Sequence, residues 1–122
     1  MSEPKTLYIG IAPRGHLRAR TTAIARGDKL RPNEPKHWVS SVEALGRILS
    51  AKNMLLLEMI RSSRPGSLAE LAVMSGRRPS NLSRTLKAME KIGVIEFEKV
   101  SKLKKAPRVV YDKFEIKGHL AA

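Results

Sequence analysis

Residues 76–95 read GRRPSNLSRTLKAMEKIGVI. Pro79 suits the first turn of a helix, where its missing N–H has no intrahelical partner to lose. Beyond it, Leu82, Leu86 and Met89 fall at i, i+4 and i+7, the spacing of a single apolar stripe. With Leu82 at zero and about 100° per residue, Leu86 and Met89 lie within about 40° of it. Ser80, Arg84, Lys87 and Lys91 lie about 140–200° away, and Asn81 and Ala88 flank that set. The stretch predicts a helix with one face for a core and a separate polar face. After Gly93 the period changes from helical to alternating.

The flanking sequence supplies neighbours for that helix. Ser67-Leu68-Ala69-Glu70 reads as a capping box and predicts a short helix burying Leu68, Leu71 and Ala72, closed by Ser75-Gly76. Leu71 would brace Leu82 and Leu86 across a tight glycine turn. Further upstream, Ser40-Ser41-Val42-Glu43 reads as another capping box, opening a helix that buries Val42, Leu45, Ile48 and Leu49. Ser50 would cap a third helix, residues 51–62, in which Met54 through Leu57, Met59 and Ile60 are apolar on most sides. That pattern predicts a central core helix. Downstream, residues 94–100 alternate, SKLKKAP (101–107) is a basic turn, and RVVYDKFEI (108–116) alternates again, predicting a β-hairpin.

Two short helices joined by about four residues, the second followed by a hairpin, predict a helix-turn-helix with a wing. The expected fold class is α+β: three to four helices plus a C-terminal hairpin wing, with an N-terminal strand-helix appendage. TLYIGIA (6–12) reads as a strand, residues 14–27 as a helix, and GDKLRPNEPK (27–36) as a linker. The expected organisation is an appendage over 1–36, a main domain over 37–117 and a tail over 118–122. Leu7, Tyr8, Ile9 and Ile11 have no evident partner strand. They are expected, with Leu17 and Ile24, either to meet a second copy or a partner protein or to fold back onto the chain's own wing sheet. Trp38 reads as a core anchor.

Charge narrows the partner. The chain carries 24 Lys+Arg against 11 Asp+Glu, a formal charge of +13. Residues 1–37 hold eight basic and three acidic side chains, residues 38–75 four and three, and residues 76–122 twelve and five. Solubility does not require basic ends around a nearly neutral middle, and such asymmetry favours a nucleic acid. Aromatic residues are too scarce, at 4%, for a base-stacking platform. Without cysteine there is no disulfide, thiol chemistry or cysteine-ligated zinc. No stretch reaches a membrane span or has the layout of a signal peptide, so a cytoplasmic, nucleoid-associated protein is expected. His16, His37 and His119 stand far apart with no carboxylate at metal spacing, and no catalytic set can be assembled. Neither enzyme activity, metal nor cofactor is expected.

The polar face fits a groove in duplex DNA. Arg pairs with guanine O6/N7, Asn with adenine N6/N7, and Ser with several base edges or a phosphate. The N-terminal half of such a helix reaches base edges, which selects Ser80, Asn81 and Arg84. Lys87 and Lys91 are expected at phosphates, as are Arg77 and Arg78 beside the helix N-terminus. Lys102, Lys104, Lys105 and Arg108 would form a basic wing tip tracking the backbone, or else a lysine-rich turn that resists edge association.

The residues SLAELAVMSGRRPSNLSRTLKAMEKIGVIEFEK (67–99) resemble the winged helix-turn-helix of small bacterial and archaeal transcription regulators of the MarR/ArsR-like type, over about residues 40–116. With HWVSSVEALGRILSAKNMLLLEMI (37–60) and the N-terminal strand, the chain is similar to winged-helix regulators encoded beside a small toxin and regarded as self-repressing antitoxins. The resemblance implies a DNA face at Ser80, Asn81, Arg84 and Lys87, a homodimer on a palindromic operator, and an N-terminal segment that binds a cognate toxin or a second copy. The sensor cysteine and histidine clusters of ArsR proteins and the long dimer helices of MarR proteins are absent, so metal or phenolic-ligand sensing is not implied. Two other expectations remain from the residues alone: a chain whose main task is to bind a protein, and a non-specific nucleic-acid binder.

Overall fold

A computed structural model describes residues 5–12, 27 and 35–118 of the chain. The elements run β1 (Thr6–Ile11), β2 (His37–Val39), α1 (Val42–Ile48), α2 (Ala51–Ser63), α3 (Leu68–Ser75), α4 (Pro79–Lys91), β3 (Glu96–Lys99), β4 (Lys105–Arg108) and β5 (Lys113–Gly118). The class is mixed α+β. No helix among the described residues is long and apolar enough to cross a membrane.

Serine hydroxyls start three of the helices by accepting otherwise unpaired amides. Ser41 accepts from Ala44 N at 3.0 Å, Ser50 from Asn53 N at 3.3 Å and Ser67 from Glu70 N at 3.1 Å. The first cap is therefore Ser41 rather than Ser40. In the third, the Glu70 carboxylate reaches back to Gly66 N–H at 2.9 Å, one residue before the cap itself.

Burial matches the predicted stripe of α4, where Leu82, Leu86 and Met89 are fully enclosed, with Leu71 of α3 in the same core. Two other expectations need correction. Val42, the first residue of α1, is exposed, leaving Leu45 as that helix's buried residue. Helix α2 buries only Leu56 and Ile60, while Leu55 stands 68% exposed and Met54 is exposed beside it. A run apolar on all sides does not say which sides find neighbours, and the described residues cover only one of them.

The strands are connected differently from the sequence reading. β1 is the central strand of a three-stranded sheet, parallel to β2 on one side and to β5 on the other. Its expected free edge does not exist, and its partner is not the hairpin. Leu7 and Ile9 are buried in the same core as Leu45, Leu56, Leu82 and Leu86, so neither is available to a partner; Tyr8 and Ile11 are half-buried. The strand is part of the main core. The predicted helix over 14–27, with Leu17 and Ile24, lies outside the described residues apart from Gly27.

The predicted hairpin is shorter and closes earlier. β3 pairs antiparallel with β4 from Glu96↔Arg108 to Lys99↔Lys105, so KAPR, not RVVYDKFEI, is the return strand. Pro107, which cannot donate to a ladder, is tolerated because among the described residues β4 has only one partner strand. Residues 113–118 leave for β1, placing Phe114 beside Leu7 and Ile116 beside Ile9. The junction is pinned at its start. Lys5 N–H donates to the Asp112 carboxylate at 2.8 Å, Asp112 N–H donates to Lys5 carbonyl at 2.9 Å, and Arg61 pairs with Asp112 at 2.7 Å. These contacts hold the Asp112 carboxyl below the usual carboxylate range, chiefly through the Lys5 N–H and then through Arg61. On the other side of β1, Gly10 lies opposite Trp38, and a Cβ on Gly10 would collide with the indole ring. That close approach makes Trp38, whose Nε1 donates to Pro35 carbonyl at 3.1 Å, a packing anchor of the sheet.

Candidate nucleic-acid interface

Helix α3 ends at Gly76, whose φ of +70° is the left-handed cap that turns the chain within three residues into α4. α3 packs on α4, and β4 packs on α2 and α3. The brace, the turn and the hairpin root are thus one body, and α4's buried stripe fixes which of its sides faces outward.

On that outward side Ser80, Asn81, Arg84, Lys87 and Lys91 are all exposed. Among the described residues, Arg84, Lys87 and Lys91 enter no ion pair, although acidic side chains are present elsewhere on the surface. Unlike the other three helices among the described residues, α4 begins without a side-chain cap: Arg78 occupies the cap position with no such bond, and Pro79 follows. The first free amides of a helix carry its positive dipole end.

Two predicted contact residues are otherwise engaged. Arg77 is half-buried and donates to Asn53 Oδ1 at 2.9 Å and to Lys52 carbonyl at 3.0 Å, tying the turn to the start of α2. The Arg108 side chain, only 13% exposed, is at the root of the hairpin and not its tip. Its Nε donates to Glu98 at 2.7 Å and its Nη1 to Pro65 carbonyl at 2.7 Å and Pro107 carbonyl at 3.0 Å. Of the five N–H donors of a guanidinium, Arg77 commits two and Arg108 three to backbone and side-chain acceptors of their own chain. Arg78 stays exposed and outside any ion pair among the described residues.

The hairpin tip retains Lys102, Lys104 and Lys105, all exposed. Val100 N–H and Ser101 N–H both donate to Lys104 carbonyl, which closes the loop. Lys99, outside the sequence-predicted contact residues, lies directly opposite Lys105. Like charges opposite one another in an antiparallel pair are unfavourable, and an anion beside them removes the penalty. The only signal for Lys99 is the register, which its own alternating strand does not reveal. Leu103 stands 97% exposed amid these lysines. His37 Nδ1–H donates to Lys91 carbonyl at 3.1 Å, which ties β2 to the end of α4. No group of three or more metal-ligating side chains occurs among the described residues.

The family model HVO_A0114 matches residues 48–116, more than half of the chain and all of α2 through β4. No curated protein matches. A solved structure, that of the predicted DNA-binding transcriptional regulator from E. coli, is similar over 81% of this chain and 85% of its own, with 23% identity and a TM-score of 0.48.

Proposed function

The chain belongs to the HVO_A0114 family, and we propose that it is a sequence-specific, double-stranded DNA-binding transcription regulator of winged helix-turn-helix form. The observation that carries this reading is the division of α4. Three residues of one face are fully buried, while Ser80, Asn81, Arg84, Lys87 and Lys91 on the other are exposed, and among the described residues no acidic side chain pairs with the three cations. Ser80, Asn81 and Arg84 lie in the half of the helix that reaches base edges in a major groove. Arg78, Lys87 and Lys91 meet phosphates, and Lys99, Lys102, Lys104 and Lys105 make the wing tip a second phosphate contact. Arg77 and Arg108 support this surface from behind.

Two copies acting as a repressor would set their α4 helices in successive major grooves of a palindromic site, about 34 Å apart. The similarity to toxin-linked regulators adds a finer proposal, an antitoxin that represses its own operon. A toxin would then have to dock elsewhere than on β1, whose two edges are occupied.

The test is selection of binding sites from random DNA, followed by affinity measurement on the selected site and on scrambled duplex. The expected result is an enriched motif, with Arg84→Ala reducing the ratio of the two affinities by about tenfold or more. An unchanged ratio in Arg84→Ala would remove α4 as the reading face.

A further inference from the structure

β5 is the outermost strand of its sheet: among the described residues no strand pairs with the edge away from β1. All six of its residues are exposed. In-register neighbours share a face of a sheet, so Phe114 and Ile116 lie on the face of Leu7 and Ile9, toward the helices. Lys113, Glu115 and Lys117 lie on the other face, where Lys117 Nζ stands 5.0 Å from the centroid of the Tyr8 ring. Phe114 is 37% and Ile116 49% exposed although both point to the core side. Beside them runs an open groove of about 910 Å3 between α2 and β5, with Leu49, Met54, Leu55, Leu57, Val109 and Phe114 in its wall. The uncovered side of α2 and the uncovered edge of β5 therefore border the same space.

We propose that this edge is where two copies of the chain join, β5 pairing antiparallel with β5 of the partner about a two-fold axis normal to the sheet. The inference deepens the two-copy part of the preceding reading and rests on that part alone. The axis leaves each face on its own side, so residues directly opposite must share a face, which limits the register. With Glu115 opposite itself, Lys113 meets the partner's Lys117 and every charged pair is repulsive. With Phe114 opposite itself, Lys113 meets the partner's Glu115 twice, but Asp112, already held by Lys5 and Arg61, falls against the partner's Ile116. With Ile116 opposite itself, Glu115 meets the partner's Lys117 twice, once from each chain, and Phe114 lies across from the partner's Gly118 twice. Opposite charges pair on one face, while on the other an isoleucine pair is flanked by aromatic rings over glycines.

Opposite charges pair in both of the last two registers, but this one keeps residues 114–118 of β5 in the ladder and leaves the pinned Asp112 outside it. The result is a six-stranded sheet, β2-β1-β5-β5-β1-β2. Both α2 helices stand on its core side, and the groove of each is closed at its open end by the other copy. One operation covers the free edge, Phe114, Ile116 and the Met54–Leu55 side of α2.

Sedimentation across a dilution series, without DNA, tests the arrangement. The wild-type chain is expected at the mass of two chains. Glu115→Lys puts like charges opposite each other in both pairs and should weaken association about tenfold or more. The double variant Glu115→Lys/Lys117→Glu restores both pairs in reversed order and should return association to the wild-type level. Glu115 and Lys117 are exposed, and unchanged far-UV circular dichroism shows that the variants fold. A wild-type mass of one chain at every concentration, an unaffected Glu115→Lys variant, or a double variant no better than the single one overturns the proposal. Arg84→Ala must leave the mass unchanged; a chain that dimerises yet fails to discriminate DNA sequences removes the DNA reading and leaves this one standing.

Discussion

Helices α2 and α4 are both 13 residues long, and each ends near a basic residue, but they present opposite surfaces. α4 has three large apolar side chains, all buried, and a polar face left bare. α2 has six, of which Leu56 and Ile60 alone are buried, and its outer side remains apolar at Met54 and Leu55. Bare charge on a helix face is stable in water and waits for an anion. Bare hydrocarbon is not, and it calls for another apolar surface. The same length of helix thus leaves charge uncovered on one element and hydrocarbon on the other.

The contrast can be broken most strongly at the core. Leu86→Ala empties a fully enclosed site and should cost about 2–5 kcal/mol of unfolding free energy, read from urea denaturation. Leu55→Ala, which removes an exposed side chain of similar size, should change single-chain stability by less than about 0.5 kcal/mol. Equal losses in the two variants would mean that the assigned faces are wrong.

A smaller effect separates the arginines by role. Arg108→Ala deprives Glu98 and the Pro65 carbonyl of their donor and should destabilise by about 1–3 kcal/mol. Arg78→Ala, whose side chain has no ion-pair partner among the described residues, should leave the melting temperature near that of wild type and weaken DNA binding instead. At the wing, Lys104→Ala should weaken specific and random duplex alike and reduce the slope of log affinity against log salt by about 1.

The smallest effect is expected at Asp112. Its folded carboxyl titrates below the unfolded value because Lys5 N–H and Arg61 favour the charged form. The stabilisation is therefore fully present above about pH 4 and fades as pH falls through the folded value. The urea midpoint of wild type should exceed that of Asp112→Asn at neutral pH, and the difference should shrink with acidification. A difference that grew on acidification would reverse the assigned sign.

How far these features are legible in the sequence depends on the range of the interactions that fix them. Ser50 and Ser67 mark helix starts because a hydroxyl caps an amide three residues on. Ser41 took that role from Ser40 by one position, since both satisfy the same local rule. The stripe Leu82, Leu86, Met89 follows from the helical repeat alone. By contrast, residues 108–116 alternate in the same way whether they return along β3 or cross to β1, so the period could not choose between the two sheets.

The sequence by itself determined the helix starts at Ser50 and Ser67, the buried stripe of α4 and the polar face opposite it, because caps and periodicity act within one turn or one strand. Only the tertiary structure decided that β1 is enclosed between β2 and β5, that α2 keeps an apolar side, and that Arg77 and Arg108 bind their own chain. Those outcomes depend on which acceptors and strands arrive from 24, 43 or 107 positions away. A side chain's type sets what it can bind, and long-range packing sets whether anything in its own chain reaches it first.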